Sequence, residues 1–234
     1  MDSGQGTLGA GEMAVLIRDF DWTKTPLGAR DKWPISLKTA TQLVLASRFP
    51  MALLWGPELI LIYNDAYKVI CGGKHPAALG RSTREIWSEV WHINKPIFEA
   101  VMKKGETRYF EDMPFAINRH GFDENVYFTL SYSPVYMEDG HIGGTLVVLQ
   151  ETTGRNKAEE AAQAAGVWYR AIYEGSPLAM VVWDTERRVV NWNRQAEMVF
   201  GWSSEEILGK DFFSFLLPAS ALPAVAGVVD ALLA

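Results

Sequence analysis

One pattern occurs twice in this chain and limits what it can fold into. Residues 59–63 are four aliphatics and a tyrosine that run into Asn64, and Val189 and Val190 lead to a second aromatic–asparagine step, Trp192–Asn193. Gly80 follows Asn64 by sixteen positions within Leu79-Gly80-Arg81. Gly209 follows Asn193 by the same sixteen within Leu208-Gly209-Lys210. Upstream, FPMALLWG and SPLAMVVWD each give a proline, an apolar strand and a tryptophan. Such a repeat predicts two copies of one domain type. An asparagine at a strand end is suited to capping the next helix, because its side chain accepts from free backbone N–H groups. Since Asn64 and Asn193 recur beside otherwise different side chains, they read as architecture rather than ligand contacts. Gly80 and Gly209 read as turns that use glycine's backbone freedom.

The chain can bury a sizeable core: of 234 residues, 48% are hydrophobic and 21% charged. A net charge of −6 weighs against broad capture of nucleic acid or anionic membrane. The single cysteine, Cys71, excludes an intrachain disulfide framework and suits a reducing compartment. The start, MDSGQGTLGAGEM, lacks the basic and apolar regions of a secretory leader. No apolar stretch reaches the roughly 18 residues of a membrane span, so the expected location is cytoplasmic.

Gly-rich polar composition predicts a flexible tail over residues 1–19. A helix opens at Pro34, with Ile35, Leu37, Leu43 and Val44 on its apolar face, and stops by Pro50. Strands are expected at 51–55 and 59–63, joined at Gly56-Pro57, and at 107–117, 125–137 and 141–150. Between the second and third, residues 82–104 have helical spacing. Ser82 and Glu85 form a candidate capping box, Pro96 predicts a break near Lys95, and Gly105 ends the helix. Residues 154–174 predict a connecting helix, in which Ala158, Ala161, Ala165, Trp168 and Ile172 alternate by three and four. That is the seam spacing of a coiled coil, over about two heptads where three or four would define one.

Two segments resemble a known family. EGSPLAMVVWDTERRVVNWNRQAEMVFGWSSEEILGKDFFSFLLP is similar to the first half of a PAS domain. DWTKTPLGARDKWPISL with ASRFPMALLWGPELILIYNDAYKVI resembles the amino-terminal PAS variety of bacterial sensor histidine kinases. The resemblance implies an α+β PAS fold, a five-stranded antiparallel sheet with helices packed across one face. It implies a first PAS domain over residues 20–153, a helical linker at 154–174 and the N-terminal half of a second over 175–234. The expected function is a sensory input that binds a small ligand or partner and passes the change to a carboxy-terminal histidine kinase, as a homodimer joined through its helices. Three alternatives stay open: the same input driving a cyclic-dinucleotide cyclase or phosphodiesterase, a ligand-free PAS dimerisation module, and a haem-based redox or gas sensor.

No catalytic site is legible. The chain has no phosphoacceptor histidine pattern, ATP lid, P-loop or cyclase signature, so this stretch reads as non-enzymatic. His75, His92, His120 and His141 lack metal-site spacing, and no metal is expected. His75, His120 and His141 are expected at the surface. The resemblance makes His92 a weak candidate for a haem ligand. A flavin is not expected, because Gly80-Arg81-Ser82-Thr83 lacks the thiol of light-sensing relatives, and Cys71 reads as a small buried hydrophobe. Candidate pocket residues are Tyr67, Trp87, Trp91, His92, Tyr127, Thr129 and Tyr132, where aromatics with a few hydroxyls suit a small apolar ligand or a filled core. Glu151 and Thr153 stand at the junction that often reads Asp-x-Thr in the family. They are the expected couple between sheet and connecting helix.

Overall fold

A computed structural model describes residues 11–211. The chain divides into two compact units, Met1–Lys157 and Ala158–Ala234. The first is α+β. Helices α1 (Glu12–Asp19) and α2 (Ile35–Ala46) precede strands β1 (Met51–Trp55) and β2 (Ile60–Tyr63). Short helices α3 (Lys68–Cys71) and α4 (Thr83–Ile86) lead to α5 (Trp91–Lys104). Strands β3 (Arg108–Asn118), β4 (Asp123–Tyr136) and β5 (Ile142–Glu151) complete the unit. The strands form one antiparallel sheet in the order β2-β1-β5-β4-β3.

Burial follows the pattern written in each strand. In β4, Val126, Phe128, Leu130 and Tyr132 are buried and the residues between them are not, so this part of the sheet turns one face to the core. β1 and β2 are consecutive apolar runs, and Leu53, Leu54, Leu61 and Ile62 are all buried. Since neighbouring residues on a strand point to opposite faces, this edge is covered on both sides, and α2 packs against it. Helices on one face alone do not describe it.

Three local expectations change. Residues 12–19, expected within a flexible tail, are α1, with Met13, Ala14 and Ile17 buried; residues 1–10 of that tail lie outside the described residues. An apolar face at i, i+1 and i+4 is enough to anchor one helix side. Asp65 Oδ1 also accepts from Met13 N at 3.2 Å, Glu12 pairs with Lys68, and Trp22 Nε1 donates to the Ile17 carbonyl at 2.8 Å. Pro96 does not break α5. It sits in the second turn, where it removes only one backbone bond, and the break falls earlier, at Trp87 (φ −116°, ψ 42°). Ser82 makes no cap: its hydroxyl donates to the Glu58 carbonyl at 2.9 Å, while Glu85 accepts from Arg81 at 2.7 Å.

The helix α6 (Thr153–Gly175) runs unbroken through Gly166. Beyond it, the second unit holds β6 (Val181–Trp183), β7 (Val189–Trp192), α7 (Arg194–Phe200) and α8 (Ser204–Ile207). β6 and β7 form a two-stranded antiparallel sheet. Val189, Trp192, Ala196 and Ile207 make its small core. A capping box that sequence reading missed starts α8, between Ser203 and Glu206. Among the described residues no helix is long and apolar enough to cross a membrane.

Candidate functional site

The two asparagines are hubs of one design. Asn64 Oδ1 accepts from Met51 N (3.1 Å) and Tyr67 N (3.0 Å), and its Nδ2 donates to the carbonyls of Ser47 (3.0 Å) and Phe49 (2.7 Å). Asn193 Oδ1 accepts from Met180 N and Ala196 N, both at 2.9 Å, and its Nδ2 donates to the carbonyls of Tyr173 (2.9 Å) and Leu178 (3.0 Å). Both side chains are buried and all four polar positions of each are used. Neither has capacity left for a ligand. Gly80 and Gly209 both take the left-handed backbone, at φ 75° and 79°.

Behind the first hub lies a chamber of about 60 Å³ against the inner face of β3, β4 and β5. Tyr67, Trp87, Asn94, Phe128, Tyr132 and Leu149 line it. The Tyr132 hydroxyl donates to Asn94 Oδ1 at 3.1 Å. Trp87 is buried, and its Nε1–H makes no well-formed hydrogen bond, although the Tyr67 hydroxyl lies beside it. Burial pushes the Tyr67 and Tyr132 hydroxyls well above the ordinary phenol value, so both remain neutral donors at any physiological pH.

The chamber therefore unites Tyr67, Trp87 and Tyr132 of the seven expected pocket residues. Tyr127 and Thr129 belong to the other face of β4, one residue out of step with Phe128 and Leu130. Tyr127 N donates to Thr153 Oγ1, and Thr129 Oγ1 accepts from Asp112 N. His92 is exposed. Trp91 is half-buried, packs on Phe98 with ring centroids 5.9 Å apart, and lines a different cleft. Asn94, which sequence reading missed, is a polar residue inside the apolar stripe of α5. Phe128 could have been found from its two-residue alternation with Tyr132.

A haem or flavin does not fit this chamber. Small-molecule sites span roughly 300–1,000 Å³, several times its volume, and no histidine lines it. Among the described residues no group of three or more His, Cys, Asp or Glu side chains is placed to hold a metal ion. Cys71 is fully buried, and desolvation pushes its thiol up to about 12. His75 is not a free surface group: its Nδ1 lies 2.9 Å from the Tyr63 hydroxyl and its Nε2 3.0 Å from Glu12. His120 and His141 are exposed.

The sheet's exit is a charged knot. Arg119, buried, grips Glu151 at both oxygens (2.8 and 3.1 Å) and reaches Glu124 at 3.4 Å. The Thr153 hydroxyl donates to Glu151 Oε1 at 2.9 Å and accepts from Tyr127 N at 3.0 Å. The longer glutamate thus still reaches the threonine, while Arg119 holds its carboxylate in place. Burial alone would raise the Glu151 carboxyl, but the bonds from Arg119 and Thr153 outweigh it and leave it below its ordinary value. Nothing in the sequence pairs Arg119 with a residue 32 positions away.

A sequence-family model described as the PAS fold matches residues 169–229. The first unit's five-stranded antiparallel sheet with helices is the plan that the PAS resemblance predicted. Among solved structures, the chain is similar to the LOV protein of Rhodobacter sphaeroides, with 18% identity over 56% of this chain and 74% of that one and a TM-score of 0.43. It is also similar to the PAS domain of BvgS from Bordetella pertussis (16% identity, 56% and 96%, TM-score 0.42). An RNA-binding light-oxygen-voltage receptor matches at 15% identity over 61% of this chain (TM-score 0.41), and the chain spans 40% of that receptor's length. No curated protein matches.

Proposed function

We propose that this chain is a tandem PAS sensory input, a complete first domain and the N-terminal half of a second, which feeds a carboxy-terminal histidine kinase in the cytoplasm. The observation that carries the reading is the bonded path out of the sheet. Glu151 ends β5, Thr153 opens α6, and the two are joined to each other, to β4 through Tyr127 N and to Arg119. A shift of the sheet therefore moves the first turn of α6. The input is a neutral molecule of only a few heavy atoms, because the chamber holds about 60 Å³ and no charged side chain lines it. Replacing Thr153 with Ala in the full-length protein decouples output from signal. Unchanged output overturns the relay.

A ligand-free dimerisation module is the second reading. It is favoured by the small chamber and by α6, on which Val167, Trp168, Tyr169 and Ile172 are all exposed, Trp168 at 70%. Native mass spectrometry separates the two. Retained mass that Trp87→Phe releases supports the sensor, and an empty dimer that Trp168→Ser dissociates supports the module. A cyclic-dinucleotide cyclase or phosphodiesterase in place of the kinase would receive the same input, and the full-length protein's reaction decides between them.

A further inference from the structure

A second and much larger cavity lies apart from the chamber, along another side of α5. The β1–β2 hairpin, one face of α5, the segment 26–37 and the β4–β5 turn enclose a cleft of about 720 Å³. From α5 it takes Trp91, Lys95, Phe98, Glu99, Met102 and Lys103, which the three-and-four spacing sets on one side of the helix. Facing them are Leu37, Trp55, Leu59, Met137 and Ile142.

The floor of this cleft is held open in advance. A Cβ on Gly143 would come within 2.6 Å of the Trp55 indole, and one on Gly144 within 2.8 Å of it and 2.6 Å of the Leu54 carbonyl. Two bare glycines at the start of β5 therefore let the indole lie over the strand, so its placement costs nothing when a ligand arrives. Thioethers at Met102 and Met137 add a soft, adaptable wall. The volume falls within the range of small-molecule sites, and an apolar wall with a few polar groups is their usual composition.

Charge narrows the class of ligand. Glu99 and Lys103 are paired with each other at 3.7 Å. Lys95 has no hydrogen-bond or ion-pair partner among the described residues, and it stands one turn from Trp91 and beside Phe98 in the middle of the helical face. Glu58, the remaining charge, is exposed at the hairpin tip. We propose that this cleft is a binding site for a flat, largely apolar small molecule bearing one anionic group, with the rings between Trp55 and Trp91 and the anion on Lys95.

Two dyes test it on the intact chain: anilinonaphthalene sulfonate, an anion, and N-phenylnaphthylamine, its neutral counterpart. The sulfonate is expected to bind saturably and to move the indole NMR signals of Trp55 and Trp91 while that of Trp87 stays still. Glu99→Trp, an exposed position where a ring crosses the mouth, abolishes binding of both dyes. Lys95→Gln weakens the sulfonate roughly tenfold, the loss of one charge-assisted contact, and leaves the naphthylamine unchanged. Absence of saturable binding overturns the site, as does binding that survives Glu99→Trp and disappears in Trp168→Ser, where the dye reads α6 instead. Equal response of both dyes to Lys95→Gln overturns the anionic class. A chain dimer that Glu99→Trp dissociates assigns the cleft to a second copy and also overturns the proposal.

Discussion

Asn64 and Asn193 make the same four kinds of bond at nearly the same offsets, yet the hairpins they hold reach different ends. In the first unit β1 pairs with β5 as well as β2, and Leu53 is completely buried. Its counterpart in the second unit by register, Val182, is 39% exposed, and among the described residues β6 pairs with β7 alone. The comparison separates two causes. A local hub of hydrogen bonds is enough to fix a strand–turn–strand–helix joint, because every partner lies within about twenty residues. Covering that hairpin requires strands distant in sequence, and a two-stranded sheet without them stays marginal.

The largest test of this separation is to remove the hubs. Asn64→Ala removes four hydrogen bonds, although Tyr67 N keeps the Asn64 carbonyl at 3.1 Å, and at ~1 kcal/mol net for each bond lost the first unit should lose about 3–4 kcal/mol in urea denaturation. Asn193→Ala should abolish amide-exchange protection at Val181 and Trp192 while β4 and β5 keep theirs. Protection that falls in β4 after Asn193→Ala would break the separation. Asn64→Asp keeps the two accepted bonds but sets a buried carboxylate oxygen against the Ser47 and Phe49 carbonyls, so it should cost at least as much as Asn64→Ala.

The paired glycines give a smaller and sharper contrast. Gly80 and Gly209 share a left-handed backbone, but a Cβ on Gly80 would meet the Phe20 ring at 2.6 Å, while one on Gly209 meets nothing within 4 Å among the described residues. Gly209→Ala should cost ~1 kcal/mol, the backbone penalty alone. Gly80→Ala adds an overpacked ring and should cost ~2–4 kcal/mol. Phe20→Ala should recover the excess in a double-mutant cycle. If the two glycine variants melt alike, Phe20 is not what makes the sites differ.

What could be read from the sequence follows the same division. The five strands fall within two residues of their expected bounds, because alternation, hairpin glycines and the repeat are local signals. The hubs were legible because they recur. The chamber was half legible: Tyr67, Trp87 and Tyr132 converge, but choosing Tyr127 and Thr129 along with Tyr132 ignored the two-residue period. Helix α1 was missed because Gly-rich residues precede it and its partners, Asp65 and Lys68, lie some fifty positions away. Arg119 was missed for the same reason. The cleft at Trp55 depends on two glycines of another strand and has no signature in the chain.

The exit knot has no counterpart among the described residues of the second unit, so it gives a titration that only the first unit should show. Glu151 is below its ordinary value in the folded chain. A carboxylate depressed by folding contributes stability that is complete above the unfolded value, about 4.3. That contribution is lost as pH falls through the folded value. Glu151→Gln should therefore cost ~1–2 kcal/mol near neutral pH, the worth of charge-assisted bonds with Arg119 kept partly satisfied by Glu124. Thermal melts from pH 7 downward should show a constant gap between variant and wild type until about pH 4.3. Below that the gap should close, because the wild-type carboxyl takes up its proton and becomes as neutral as the amide. Exchange protection at Val181 and Trp192 should not differ between the two proteins at any of these pH values. A gap that widens in acid would mean that the bonds to Arg119 do not hold Glu151 ionised, and the charged link from sheet to α6 would fall with it.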